Sequence, residues 1–315
     1  MLDISFIIPA YNEEKNIARC LESISSVMRS ELYSFEVVVC DHSSADETQK
    51  IAKSFGVKIV QISRGGNVAL VRNRGAEVAV GKFYIFLDAD IELTYEWANG
   101  LTAVVESLSS NPMQIIGSFC LPPKDDNYII QNWFVHTTKG GSGYLGTAHL
   151  ITSRECFNQL RGFDERLVTG EDYDFCSRCK MQGGTIDIRP EMIVYHHDYP
   201  RTTKAFVLRE AWHGEGDFQS FDNFLKSKVA ILTVIFMLLH FLAIASLMDN
   251  YYFIYLIIVI ICLFVFACTF LKFKSLGVIS ILKSTVVMYI YFLGRSMSLF
   301  RVIGKYWNSS KEVKV

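Results

Sequence analysis

Short apolar runs, each cut off by a polar or turn residue, recur through the first ninety positions. Ile4-Ser5-Phe6-Ile7-Ile8 stops at Pro9, and Phe35-Glu36-Val37-Val38-Val39-Cys40 stops at Asp41. Val57–Ile62 follows, and then Lys82–Leu87 runs into Asp88-Ala89-Asp90. Runs of this length predict strands buried on both faces of a sheet. Between them the apolar positions take helical spacing, as at Ile17, Cys20, Leu21 and Ile24. Asn12 is the expected cap of that helix, with two more helices near 46–55 and 68–80. Strand alternating with helix predicts an α/β domain with a parallel sheet and crossover helices. Beyond Asp90 the pattern predicts a helix at 97–108, a strand at 114–120, a strand at 147–152 and a helix at 153–160. A helix carrying Phe175, Cys176 and Arg178 is expected to run to Gly183-Gly184. Two short strands, 185–189 and 192–196, then end at His196-His197. The stretch 121–146, with Pro122-Pro123 and four glycines between 140 and 146, is expected to form a long loop serving as a lid.

The pattern changes after about residue 227. Residues 229–248 and 251–271 are almost purely apolar, and each is long enough to span a bilayer. Asp249-Asn250 leaves a tight turn between them. Lys226 and Lys228 precede the first stretch and Lys272 and Lys274 follow the second, which predicts both ends in the cytoplasm. The third apolar region, 276–303, is interrupted by Lys283, Arg295 and Arg301. These charges do not fall on one clean helical face, and an interfacial or re-entrant helix is expected there, with a third span as its rival. Residues 201–226 mix basic and aromatic side chains, as a segment at headgroup level does. The expected division is a catalytic domain at 1–200, a juxtamembrane segment at 201–227 and a membrane domain at 228–315. The first residues lack the basic and apolar regions of a signal peptide, so the expected setting is a multi-pass protein of the plasma (inner) membrane with its catalytic domain cytoplasmic.

Composition narrows the partners. Among 315 residues the formal net charge is −1, and no basic field points to nucleic acid. The eight cysteines are scattered and are expected to be reduced thiols. Cys176-x-x-Cys179 has no second pair, and a zinc or redox site is not expected there.

The chemistry gathers at the carboxyl ends of the strands, where open α/β sheets bind ligands. Asp88 and Asp90 leave a buried strand together, and two acids so placed need a cation. Mg2+ or Mn2+, held by one or two carboxylates and substrate phosphates, suits them. Around this pair stand Ile7-Ile8-Pro9-Ala10-Tyr11-Asn12-Glu13-Glu14, Asp41 through Asp46, Arg72-Asn73-Arg74-Gly75, Gly162-Phe163-Asp164-Glu165 and Gly170-Glu171-Asp172, with His196 or His197 last. In this order the set resembles family 2 glycosyltransferases of the GT-A fold, over roughly residues 3–200.

The resemblance implies a nucleotide-sugar donor and a role for each motif residue. Pro9, Ala10 and Tyr11 would wall the nucleobase, and Glu13 and Asp41 would accept hydrogen bonds from base or ribose. Arg72 would face the diphosphate, while Arg74 is equally well read as part of a solvated helix face. Asp90 would bind the metal directly, with Asp88 at ribose or metal. A histidine of the doublet would assist, His197 being preferred. Asp172 matches the family's general base, with Asp174 its competitor for capping the following helix. Inversion at the anomeric carbon would follow from a single displacement.

One departure from the family pattern bears on product. Processive synthases of this family carry Gln-x-x-Arg-Trp before their membrane helices, and Val207-Leu208-Arg209-Glu210-Ala211-Trp212 does not fit it. Transfer of a single sugar is therefore expected. The membrane hairpin motivates a membrane-proximal acceptor such as a polyprenyl phosphate or a lipid-linked glycan. A nucleotidyltransferase is a second reading, though the acidic Tyr11-Asn12-Glu13-Glu14 stands where a basic phosphate loop is wanted. A non-catalytic membrane scaffold is the third.

Overall fold

A computed structural model describes residues 2–29, 33–137, 143–247 and 251–312. The chain divides into two compact units, residues 1–124 with 138–199, and residues 125–137 with 200–315.

The first unit is built on a seven-stranded sheet of order β3-β2-β1-β4-β7-β6-β8. Its strands are β1 (Ile4–Ala10), β2 (Phe35–Asp41), β3 (Lys58–Gln61), β4 (Phe83–Leu87), β6 (Gln114–Gly117), β7 (His149–Ser153) and β8 (Thr185–Ile188). β1 to β4 are parallel, as the alternation predicts, whereas β7 runs antiparallel to both β4 and β6. The helices are α1 (Ile17–Met28), α2 (Thr48–Ser54), α3 (Val68–Val78), α4 (Tyr95–Ser110), α5 (Arg154–Gln159) and α6 (Glu171–Met181). Successive side chains of a strand face opposite sides, and β1 accordingly feeds two cores. Ile4, Phe6 and Ile8 pack with α1's Ile17, Leu21 and Ile24, while Ile7 joins Val38, Val71 and Phe86 on the other side. Gly75 lets α3 lie close to the sheet: a Cβ there would fall 2.5 Å from both Cys40 Sγ and Ile7 Cγ2. A separate two-stranded sheet pairs β5 (Ile91–Leu93) with β9 (Val194–His196).

Asn12 does not cap α1. That helix starts at Ile17 after Asn16, and Asn12 instead adopts a left-handed turn with φ 55°. Its side-chain oxygen accepts the Ala45 N–H at 2.8 Å, while its own N–H donates to Ser44 Oγ. Two turns at the carboxyl ends of β1 and β2 are thereby laced together, which a sequence cap rule does not foresee.

The second unit contains α7 (Thr203–His213), α8 (Phe221–Lys226), α9 (Lys228–Ser246), α10 (Tyr251–Lys272) and α11 (Val278–Glu312). Residues 125–137, expected to be part of a lid loop, are largely helical, with Ile130, Trp133 and Phe134 buried; 138–142 lie outside the described residues. α9, α10 and α11 are each long and apolar enough to cross a bilayer. The turn expected at Asp249-Asn250 also lies outside the described residues. The third apolar region is not broken at Lys283, Arg295 or Arg301 but forms one continuous helix.

Candidate active site

The carboxyl ends of β1, β2 and β4 lie side by side, with Ala10 in register with Asp41 and Ile7 with Phe86. Asp88 and Asp90 follow β4 directly. β5 begins at Ile91 and pairs with β9 so that Ile91 faces His196. This second pairing folds the histidine doublet back onto the acids. His196 Nε2 stands 3.2 Å from Asp90 Oδ2, and ligand atoms of Asp88, Asp90 and His196 lie within 4.8 Å of one another. The preference for His197 is corrected here. Neighbouring residues on a strand point to opposite faces, and His197 turns to Glu92, 2.6 Å from its Oε2. Only its backbone N–H meets the site, donating to the Asp90 carbonyl at 3.0 Å.

The site concentrates negative charge. Burial, and then Asp88 and Asp198, push the Asp90 carboxyl up to about 7. Glu13 is also pushed up to about 7, by burial first; a hydrogen bond from Asn16 opposes this, and Asp90, Asp198 and Asp88 add to it. Carboxylates buried together in this way gain from a bound cation. Hard oxygen donors with one imidazole fit Mg2+ or Mn2+, so the residues present suit the cation that the sequence implied.

Arg72 also differs from expectation. It is buried, with Nη2 2.6 Å from Asp88 Oδ1 and Nη1 2.9 Å from Glu171 Oε1. Two carboxylates engage the guanidinium, so it is a strut of the site rather than an open diphosphate ligand. Glu171 Oε1 also lies 3.4 Å from the Thr147 hydroxyl. The strut ties the metal-side acid to the turn that carries Asp172.

That turn is built for the purpose. Gly170 enters the left-handed region at φ 85°, and α6 starts at Glu171, so Asp172 sits in its first turn. Asp172 Oδ1 accepts the Tyr173 N–H at 2.7 Å. Burial and then Glu171 push its carboxyl up to about 6, against the Tyr173 N–H and Arg72. A Cβ on Gly146 would fall 3.6 Å from Asp172 Oδ2. Asp174 caps nothing and pairs with Arg178 at 2.6 Å. The Gly162–Glu165 turn is clasped by α3: Asn73 Oδ1 accepts the Phe163 N–H, and Asn73 Nδ2 donates to the Phe163 carbonyl and to Glu165. Asn67 Nδ2 adds bonds to the carbonyls of Glu165 and Leu167.

On the β1–β2 side, Asp41 is fully buried. Its Oδ2 accepts from Ser44 N–H and Gln49 Nε2, while Oδ1 has no partner among the described residues. Tyr11, after Pro9 and Ala10, is 53% exposed, with its ring edge-on to His42 at 6.2 Å. Asn12 to Asn16, Ala45, Asp46 and Asp198 line a neighbouring open cleft of about 500 Å³. Arg74 lies on the exposed face of α3, paired with Glu77 at 2.7 Å. The sequence reading missed Asp198 and gave Glu171, Asn67 and Asn73 no role of their own. The signal for Asp198 was its place directly after the histidine doublet.

Comparison with known proteins agrees with this geometry. Residues 5–163 match the family described as Glycosyl transferase family 2. The amylovoran biosynthesis glycosyltransferase AmsB of Erwinia amylovora is 30% identical over 58% of this chain and 66% of its own length. A UDP-Glc:alpha-D-GlcNAc-diphosphoundecaprenol beta-1,3-glucosyltransferase of Escherichia coli, WfgD, is 29% identical over 38% of this chain and 52% of its own. The chain thus spans less than two thirds of the length of either relative. Among solved structures, a mannosyltransferase of Pyrobaculum calidifontis in complex with GDP-Man and Mn2+ shares the fold, with a TM-score of 0.61 at 17% identity, over 96% of this chain and 90% of that one. With half of its length matched by the family and a GT-A fold around the carboxylate pair, the chain belongs to glycosyltransferase family 2.

Proposed function

We propose that the protein moves one sugar from a nucleotide-diphosphate donor to an acceptor at the membrane, with inversion at the anomeric carbon. The observation that carries this reading is the joining of two groups of residues by Arg72: the acid pair with His196 on one side, Glu171-Asp172 on the other. A divalent cation held by Asp88, Asp90 and His196 would neutralise the donor diphosphate as a Lewis acid. Asp41 Oδ1, buried without a partner among the described residues, is the acceptor offered to a base or ribose N–H or O–H. Pro9, Ala10 and Tyr11 provide the adjoining wall, and Glu13 a further acceptor. Asp172 takes the proton of the acceptor hydroxyl as its oxygen bonds to the anomeric carbon and the bond from that carbon to the diphosphate oxygen breaks. Its raised pKa, about 6, suits a base at neutral pH.

The names of the relatives and the apolar helices support an acceptor class. The relatives are named for polysaccharide synthesis and for a diphosphoundecaprenol acceptor. Together with α9 and α10, these names support a polyprenyl phosphate or lipid-linked glycan, and an inner-membrane protein with its catalytic unit cytoplasmic.

The test is binding of a panel of nucleoside diphosphates to the detergent-purified protein, with and without Mn2+, beside Asp90→Ala. Metal-dependent binding of one nucleotide, lost in the variant, is expected and names the donor class. Folded protein that binds no member of the panel would sink the proposal and restore the scaffold reading. The acceptor splits on Asp172→Asn: a hydroxyl acceptor makes it crippling, an already ionised phosphate makes it mild.

A further inference from the structure

The third apolar helix, α11, invites reading as a third span, but its contacts within the second unit place charge along one side of it. Arg295 reaches Asp217 at 3.2 Å and Glu210 at 3.3 Å, Arg301 reaches Glu215 at 3.5 Å, and Lys305 reaches Glu215 at 2.5 Å. The acids belong to α7 and the residues just after it, a segment that also carries Lys204, Arg209 and His213. The two helices touch closely. A Cβ on Gly294 would lie 2.8 Å from Glu210 Cβ, and one on Gly214 would collide with Ser298 Oγ. At 100° per residue, Ser284, Tyr291, Arg295, Ser298 and Lys305 share one face. Arg301 and Lys283 lie about 120° around the helix from Arg295, so the cations fill a broad sector rather than one narrow line, in keeping with the sequence reading.

Further contacts fix the level of the rest of the helix. Near its start, Tyr128 Oη donates to the Lys283 carbonyl, and Ser284 Oγ donates to the Asn132 carbonyl. These partners belong to the 125–137 segment, whose Asp125 pairs with Arg201 at 2.6 Å. Midway, Tyr291 packs on Trp133 at 4.8 Å, and Trp133 carries the Lys272 ammonium over its ring at 4.9 Å. Lys272 ends α10, so Tyr291 lies level with the end of a span. Phe292 meets Phe236 of α9 and Phe264 of α10, and Tyr289 reaches deeper still, its Oη 2.9 Å from Nε2 of His240 in α9. Phe236 and Phe264 each lie eight residues, about 12 Å, from the basic end of their own helix. The hydrocarbon core is about 30 Å thick. The start and end of α11 touch segments beside the basic ends of the two spans, while its middle dips against their apolar faces.

The opposite face of α11 is an exposed apolar stripe: Ile279, Leu282, Val286, Leu293, Phe300 and Ile303. α9 and α10 expose apolar side chains as well, such as Phe241 and Tyr255. We propose that α11 does not cross the bilayer but lies in the plane of one leaflet, its charged face clamped to α7 and its apolar stripe in lipid. Both ends of α11 then sit on the side where α9 begins and α10 ends. The stripe is an interaction surface for lipid acyl chains, so the unit has two spans and one in-plane helix. This holds whatever the catalytic unit transfers.

The test uses the full chain in sealed vesicles, with a protease-sensitive tag either at the C-terminus or inserted in the 273–277 connection. The expected result is that both tags are cut, or both protected, from the same side. Tags on opposite sides would establish a third span and overturn the proposal. A second arm needs no insertion. Leu282→Trp and Phe300→Trp are placed in nanodiscs whose lipids are brominated either near the ester or near mid-chain, and emission is read as the excess over the parent protein. An in-plane helix has both positions quenched most strongly by the shallow bromines. A span separates them by about 27 Å in depth, so their quenching patterns would differ. Absence of quenching at both, with particles of twice the protomer mass, would put a second copy on the stripe and also overturn it.

Discussion

The two units of this protein bury charge in opposite ways. In the catalytic unit, Glu13, Asp88, Asp90 and Asp198 crowd together, and burial first and neighbouring carboxylates after it push Glu13 and Asp90 up to about 7. In the helical unit, buried Glu210 and Glu215 each meet cations from α11. A buried charge with a partner can be kept for the fold, whereas like charges buried together are tolerated only where something else binds. Arg72 shows the two uses meeting, since it satisfies Asp88 and Glu171 while Asp90 faces the imidazole of His196. Function is marked by the electrostatic debt that the polypeptide leaves unsettled.

The contrast is broken most strongly at the acid pair. Asp90→Ala is expected to lower sugar transfer by about a thousandfold or more, since several kcal/mol of charge stabilisation go with the cation. The same variant should melt higher than the parent in chelator, because it removes a repelled carboxylate. Initial-rate kinetics and a thermal melt check both; a variant that melts lower would show that Asp90 is structural. Asp172→Asn comes next, with kcat down by about a hundredfold or more for a hydroxyl acceptor and donor affinity unchanged. In the parent, Asp172 must be ionised to act. Activity should therefore rise about tenfold per pH unit up to about 6 and then level off, and the Asn variant should lose that limb.

In the helical unit the same kind of change should act on stability. Glu210→Gln removes the carboxylate that both Arg209 and Arg295 meet, and a half-broken buried pair costs about 3 kcal/mol. Denaturation in mild detergent measures it, while nucleotide binding by the surviving folded protein should be unchanged. The pH response separates the units further. Asp90 and Glu13 bind protons more tightly folded than unfolded, their carboxyls rising from 3.8 and 4.5 to about 7. They favour the fold at low pH, and that contribution is lost as pH climbs from about 4 through 7. The melting temperature in chelator should therefore fall across that window, and saturating Mn2+ should flatten the slope. An unchanged slope with Mn2+ would mean that the cation does not reach these acids.

How much of this was legible beforehand depended on the range of the interaction. The strands of the parallel half could be read because five apolar residues in a row are a local fact, as in Phe83–Leu87. The acid pair could be read because it follows such a strand. The choice between His196 and His197 could not, since it rests on which residue of β9 faces Ile91, a register set by a partner a hundred residues away. The bridging contacts of Arg72 were hidden for the same reason: its second carboxylate lies 99 positions along the chain. The face of α11 that carries its charges became visible only once α7 supplied their partners.

Arg74 gives the smallest effect and the sharpest control. It stands two positions from Arg72 in the same motif, and the sequence allowed it either a phosphate or a solvated helix face. The fold sends it outward, half exposed and paired with Glu77 one helical turn away. An exposed pair of this kind contributes little, because water and salt screen it and two flexible side chains must be ordered to form it. Arg74→Ala is therefore expected to leave both the melting temperature and nucleotide affinity unchanged. By contrast, Arg72→Ala strips a buried partner from Asp88 and from Glu171 and should lower both. Equal losses from the two substitutions would mean that the motif binds diphosphate as a pair and that the strut assigned to Arg72 is wrong.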